Sequence, residues 1–360
     1  MAPVVHELGN HSDSFESRVC VTAQHREMLD QALDLFGITP EYDLNLMQAN
    51  QSLTDLTREI LSGLQPLLHE FRPDCVLVHG DTTTTFGATL ASFYAGAPVG
   101  HVEAGLRTGN LCAPWPEEAN RRLTSVLAKY HFVPTQQARQ NLLREGVADA
   151  SISVTGNTVI DALLSIVVKL KEDPVLSASM AAKFYYLDRA KRLILVTGHR
   201  RESFGEGFKA LCQNLQQIVL QHENVEIVYP VHLNPQVRDP VRKMLSGVDR
   251  IFLIEPEEYL PFVYLMSRCE LIITDSGGIQ EEAPSLGKPV LVTRDATERP
   301  EAVSAGTVTL VGSKCELLLE EVNKLLCEDG LRRQLKVIAN PFGDGLAAKR
   351  IVDALKSSFG

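Results

Sequence analysis

The chain has 360 residues, 44% hydrophobic and 22% charged, with 35 basic against 45 acidic side chains and a net charge of −10. That length suits two domains, with apolar material for two cores. The negative balance argues against a nucleic-acid partner, which rewards a basic face. No uninterrupted apolar run is long enough to span a bilayer, and no signal peptide is evident. The seven cysteines have no CxxC spacing and lie mostly in apolar runs, which reads as buried free thiols in a reducing cytoplasm.

In chain order, Met1–Leu8 reads as a helix with Val4, Val5 and Leu8 on one face, and Arg18–Thr22 as a strand. In a βαβ unit such a helix should follow a strand, so the chain is expected to start inside its first unit. Gln24–Leu35 and Asp55–Phe71 are amphipathic helices. The strand Asp74–His79 leads into Gly80-Asp81 and four threonines, then the helix Phe86–Tyr94. The strand Pro98–Val102 ends at Glu103, and a loop over 104–115 precedes the helix Pro116–Lys129, with proline in its first turn. Strand 132–133, helix Gln136–Glu145 and strand Ile152–Thr155 complete a doubly wound domain, and Gly156-Asn157 is read as a turn near the hinge.

A second alternation follows. Its strands are Leu193–Thr197, Val225–Tyr229, Ile251–Ile254, Leu271–Thr274 and Pro289–Val292, with helices at about 205–221, 235–245, 258–267 and 278–286, and closing helices at 313–327 and 344–358. The fold class is therefore α/β: two doubly wound α/β/α Rossmann-like domains with an interdomain cleft. They cover 1–160, joined by the C-terminal helix 344–360, and 161–343.

The most informative stretch is ELIITDSGGIQEEAPSL, residues 270–286. A buried strand runs into Ser276, Gly277 and Gly278, and a helix opens directly after the turn. Free N–H groups and the positive helix end make such a turn an anion site, although a plain strand-to-helix turn has the same composition. Glu282, one turn on, is placed to accept from a sugar hydroxyl. Ligands of open α/β sheets bind beyond the carboxyl ends of strands. In the first domain that rule collects Asp81, Glu103, Glu117 and Glu118. In the second it collects His199, Arg200, Arg201, Ser276, Glu282 and Arg299. Asp81 could equally be a helix cap, and Glu117 and Glu118 could merely complement a helix dipole. Histidine 232, in HLNP, also follows a strand, with a less definite role. No cluster has metal-ligand spacing, so no metal is expected. No GxGxxG follows a strand, so a nicotinamide cofactor is not expected either.

Taken together, VLVHGDTTTT (76–85), GHVEAGLRTG (100–109), PWPEEANRR (114–122), TGNTVIDAL (155–163), VTGHRRESFG (196–205), YPVHLNP (229–235) and TDSGGIQEEAPSLGKPVLVTRDATERPEA (274–302) resemble the bacterial non-hydrolysing UDP-N-acetylglucosamine 2-epimerases along essentially the whole chain. The resemblance implies a glycosyltransferase-B-like fold, a homodimer without cofactor, and interconversion of UDP-N-acetylglucosamine and UDP-N-acetylmannosamine for cell-surface polysaccharides. The implied route eliminates UDP to give 2-acetamidoglucal and then re-adds it. Asp81, Glu103, Glu117 and His199 match the family's catalytic positions. Ser276, Gly277, Gly278 and Glu282 match those holding diphosphate and ribose; Arg299 matches a UDP-site arginine, and Phe262 a uracil-side position. Arg200 is a further substrate-site match. Gln24, Arg200 and His232 resemble a second, activating UDP-N-acetylglucosamine site, where Glu27 replaces a glutamine of some members. The family pattern places a strand and an FGTRPEAIK-type loop before MAP, so a longer product with its start assigned at an internal methionine is expected. The rival expectations are a UDP-sugar glycosyltransferase and a truncated form that binds UDP-sugar without turnover.

Overall fold

The structure is a computed structural model and describes residues 1–23, 26–46, 51–198, 205–328 and 338–359. The chain divides into two compact units. Unit 1 comprises Met1–Ala162 and Phe342–Gly360, and unit 2 comprises Leu163–Pro341.

Unit 1 begins with α1 (Ala2–Gly9), β1 (Cys20–Val21), α2 (Arg26–Phe36), β2 (Tyr42–Asp43) and α3 (Leu53–Phe71). It continues through β3 (Val76–His79), α4 (Thr83–Tyr94), β4 (Val99–Val102), α5 (Glu117–Leu127), β5 (Tyr130–Val133), α6 (Gln136–Arg144) and β6 (Ile152–Val154). Strands β3-β4-β5-β6 form a parallel sheet in sequence order, and β1 pairs with β2 in a separate parallel ribbon. Helix α3 is capped by Ser52, whose side chain accepts from the Asp55 N–H at 3.1 Å. Its buried stripe of Leu56, Ile60, Leu64 and Leu68 has the spacing of one helix face.

Unit 2 takes the chain through α7 (Thr158–Glu172), inside which the boundary falls, and α8 (Pro174–Lys183). Then come β7 (Arg192–Val196), α9 (Glu206–Gln221), β8 (Val225–Pro230), α10 (Pro235–Leu245), β9 (Ile251–Ile254) and α11 (Tyr259–Arg268). The second half is β10 (Leu271–Thr274), α12 (Gly277–Glu282), β11 (Val290–Val292), α13 (Pro300–Ser304), β12 (Val308–Leu310) and α14 (Leu318–Cys327). The sheet is parallel throughout, with order β12-β11-β10-β7-β8-β9. All four residues of β10 are fully buried, as their continuous apolar run requires of a strand covered on both faces. The strand order reverses between β7 and β10, which makes that junction the topological switch point.

The last helix, α15 (Ala347–Phe359), belongs to unit 1. Its Ile351 and Leu355 pack in one buried cluster with Val4 of α1, Val102 of β4 and Phe132 of β5. The α/β alternation expected from the sequence is present in both units. Strands β2 and β12 and the helices α7, α8 and α13 were not expected from the sequence. Among the described residues no helix is long and apolar enough to cross a membrane.

Candidate active site

The acidic group of unit 1 is assembled from three places. Asp81 lies just beyond β3, where Gly80 takes a left-handed φ of 73° to turn the chain. The cap of α4 is Thr82, whose hydroxyl accepts from the Thr85 N–H at 3.3 Å, so Asp81 is not the cap residue. Its carboxylate pairs instead with Arg121 Nη2, and its carbonyl accepts from Asn120 Nδ2 at 3.0 Å. Glu103 follows β4 with a φ of 65°, a left-handed conformation that disfavours a side-chain-bearing residue and is found at functional sites. Its Oε2 lies 3.2 Å from His79 Nε2, at the end of β3.

Glu117 and Glu118 open α5 with different surroundings. Glu118 is fully buried and accepts from the Thr108 N–H at 3.0 Å, the Gly109 N–H at 3.2 Å and Arg121 Nη1 at 3.2 Å. It ties the 104–115 loop to the helix. Glu117 has a buried Oε2 without a hydrogen-bond partner among the described residues. A desolvated carboxylate oxygen left unpaired is costly, so it marks a place where a ligand group is expected. One glutamate is structural, and its neighbour, about 100° round the helix, is the reactive candidate.

In unit 2 the 274–282 segment sits at the switch point. Thr197 N–H donates to the Ile273 carbonyl at 2.9 Å, and the Thr197 and Thr274 hydroxyls lie 2.7 Å apart, joining the carboxyl ends of β7 and β10. Ser276 is the N-cap residue of α12, its own N–H donating to Thr274 Oγ1 at 3.0 Å. The helix starts at Gly277 rather than after the glycines, and neither Gly277 nor Gly278 has a positive φ. The expected tight glycine turn is therefore a first helical turn. A Cβ at Gly278 would meet only Ser276 Oγ, at 3.9 Å, so the glycine leaves open space over the helix start.

Glu282 ends that helix almost fully buried and accepts from the Tyr259 hydroxyl at 2.6 Å. Burial pushes its carboxyl up to about 7; the Tyr259 bond pulls it down and Glu281 adds a further push upward. The Tyr259 phenol is itself raised by burial and by Glu282. Phe262, half-buried, lies one turn along α11 from Tyr259 and so on the same side of that helix. Arg299 caps α13, and its Nε pairs with Glu281. His232 is exposed beyond β8, and its Nδ1 accepts from the Asn234 N–H at 3.1 Å. His199, Arg200 and Gln24 lie outside the described residues. Among the described residues no group of three or more His, Cys, Asp or Glu side chains is placed to hold a metal.

The sequence reading missed His79, Arg121 and Tyr259. Arg121 stands four residues after Glu117 and three after Glu118, a helical spacing that could have flagged it. His79 and Tyr259 reach their partners only through the fold.

A sheet ordered outward from a central β7/β10 switch point, with a small-residue helix start at that point, is the architecture of a nucleotide-binding α/β protein. Unit 1 adds the carboxylates of Asp81, Glu103 and Glu117, a residue type able to take and return protons. The comparisons narrow this class. The sequence model of the UDP-N-acetylglucosamine 2-epimerase family matches residues 6–356, and the chain belongs to that family. A UDP-N-acetylglucosamine 2-epimerase of Yersinia pestis is 60% identical over 357 residues, covering 99% of this chain and 95% of the relative. Among solved structures, the UDP-GlcNAc 2-epimerase of Neisseria meningitidis bound to UDP-GlcNAc is 54% identical, with a TM-score of 0.89 over 99% of this chain and 96% of that one. The Methanocaldococcus jannaschii UDP-GlcNAc 2-epimerase in complex with UDP-GlcNAc and UDP is 31% identical, with a TM-score of 0.78 over 100% of this chain and 96% of that one.

Proposed function

We propose that this chain is a non-hydrolysing isomerase that interconverts UDP-N-acetylglucosamine and UDP-N-acetylmannosamine. The reading is supported by the chain's place in the epimerase family, with Asp81 after β3, Glu103 after β4 and Glu117 in the first turn of α5. One carboxylate takes the C2 proton as the C1–O bond to UDP breaks, leaving 2-acetamidoglucal. UDP then re-adds to C1 while C2 is protonated on its other face. A C2 proton is weakly acidic, so the carboxylates must be oriented and shielded from water.

His199 is the candidate to stabilise or protonate the departing phosphate oxygen. Ser276, Gly277 and Gly278 hold the diphosphate through N–H groups of the α12 start, Glu282 the ribose, and Phe262 the uracil. Arg200 and Arg299 add positive charge. Gln24, Arg200 and His232 form the candidate activator site. The chain works as a homodimer in the cytoplasm, where its free thiols and a UDP-sugar supply are at home, and feeds cell-surface polysaccharide synthesis.

The test is incubation with UDP-N-acetylglucosamine in heavy water. UDP-N-acetylmannosamine with deuterium at C2 is the expected product. Free sugar plus UDP indicates a hydrolysing enzyme, a glycoside formed with an added acceptor indicates a glycosyltransferase, and binding without conversion indicates an inactive form; each overturns the reading.

A further inference from the structure

The start of α5 divides its polar side chains between two tasks. Arg121 stands one helical turn from both Glu117 and Glu118. It takes only the second as a partner, Nη1 donating to Glu118 Oε2 at 3.2 Å, while Glu117 keeps a buried Oε2 without a hydrogen-bond partner among the described residues. The other arm of the guanidinium, Nη2, donates to Asp81 Oδ2. The adjacent Asn120 donates through Nδ2 to the Asp81 carbonyl at 3.0 Å. Two consecutive residues of one helix thus hold both the carboxylate and the backbone of Asp81. The turn before it is held from the sheet, where the fully buried His101 donates through Nε2 to the Gly80 carbonyl at 2.7 Å. The Arg121 side chain is only 11% exposed, and Glu118 beneath it is fully buried and anchored by the Thr108 and Gly109 N–H groups. A planar, permanently charged group with one arm on each of two carboxylates has a single orientation.

We propose that Arg121 is a positioning residue for the reaction: it fastens Asp81 to α5, the helix that bears Glu117, so that the two carboxylates meet the substrate in one mutual arrangement. The proposal rests on the epimerase reading above. Taking a proton from one face of C2 and returning it to the other needs groups whose separation is set beforehand, and a misplacement of about 1 Å costs on the order of 100-fold. Asp81 lies on a turn, where a side chain is held less firmly than on a helix. The guanidinium lends it the rigidity of α5.

Arg121→Met keeps an unbranched side chain and removes the charge. It should lose about 10- to 100-fold in kcat with KM changed less than about twofold, and added to Asp81→Ala it should cost less than about threefold more. The same loss in both backgrounds, or a loss confined to KM, overturns the proposal. Exchange of the Thr108 and Gly109 amides separates positioning from collapse of the 104–115 loop. Their protection should be unchanged, and amides that lose it in step with kcat overturn the proposal. If the uncompensated Glu118 charge unfolds Arg121→Met, Glu118→Gln with and without Arg121→Met carries the same test, since glutamine keeps an acceptor for the loop. A second measurement does not depend on turnover: in urea unfolding, Asp81→Ala and Arg121→Met should depart from additivity by at least about threefold in the equilibrium constant. Additive effects overturn the pairing. Absence of C2 exchange in the unsubstituted chain counts against the epimerase reading alone, since the unfolding cycle still decides the pairing.

Discussion

Burial shifts two kinds of titratable group in opposite directions, two histidines of unit 1 and one glutamate of unit 2. Burial pushes His101 down to about 3 and His131 down to about 4, so both imidazoles stay neutral at neutral pH. Unit 2 hides an acid, Glu282, which burial pushes up to about 7 against the pull of Tyr259. The signs of the linkage therefore differ. The unfolded chain protonates a histidine near 6.5 while the folded one resists until about 4 or 3, so unit 1 gains stability with rising pH and loses it as pH falls below about 6.5. The unfolded chain releases the Glu282 proton near 4.5 while the folded one keeps it to about 7. That contribution is complete below 4.5 and is lost as pH rises to about 7. In unit 1 the Asp81 carboxylate has an explicit cationic partner in Arg121. In unit 2 the buried Glu282 carboxyl accepts from the Tyr259 hydroxyl.

The sharpest way to break this contrast is to neutralise one carboxylate in each unit. Asp81→Asn or Glu117→Gln should cut turnover by about 10²- to 10⁴-fold, followed by the C2 deuterium signal, whereas Glu282→Gln should keep kcat within about tenfold and act on KM. Equal losses in kcat would erase the distinction. Next is acid sensitivity. Between pH 7 and 5 the two buried histidines should cost unit 1 about 3–4 kcal/mol, at roughly 1.4 kcal/mol per unit of displacement for each. Amide exchange in β4 and β5 measures it, and protection unchanged at pH 5 would contradict the assignment. Of somewhat smaller size, unit 2 should lose about 3 kcal/mol between pH 4.5 and 7, seen in exchange from β10 and β11, with the slope flattened in Glu282→Gln. The smallest effect belongs to Tyr259→Phe. Removing the donor to a buried carboxyl should cost about 1–2 kcal/mol in urea unfolding, and a neutral result would mean that the phenol bond adds nothing.

The core strands of unit 2 are legible because Leu271, Ile272 and Ile273, like Leu193 to Val196, form apolar runs that only a doubly covered strand buries. Strands β2 and β12 are not, since two or three residues leave no period to read. Helix α7 is hidden in the sequence for a different reason. Ile160, Leu163, Ile166 and Leu170 follow a helical period and are buried, but the Gly156-Asn157 turn just before them reads as a break between domains. At the site, residue type and spacing alone made the adjacent Glu117 and Glu118 equivalent, and only the family resemblance singled out Glu117. In the structure Glu118 is tied to the 104–115 loop, while Glu117 keeps a buried Oε2 without a hydrogen-bond partner among the described residues. Asp81 was ambiguous because threonine and aspartate both cap helices, and Thr82 takes that task. The glycines of the 274–282 segment were read for their backbone freedom, whereas the structure uses the space they leave.

The C-terminal segment returns to pack in unit 1. Asn157 N–H donates to the Phe342 carbonyl at 2.7 Å, Asp161 accepts from the Ala347 and Ala348 N–H groups at 3.2 and 2.8 Å, and Ile351 fills the cluster around Val4. During synthesis the half that emerges first is thus the half that finishes last, while residues 163–341 have every partner they need before the ribosome reaches α15. A nascent chain stalled short of residue 347 would carry a finished nucleotide fold tethered to an unfinished acid-bearing one.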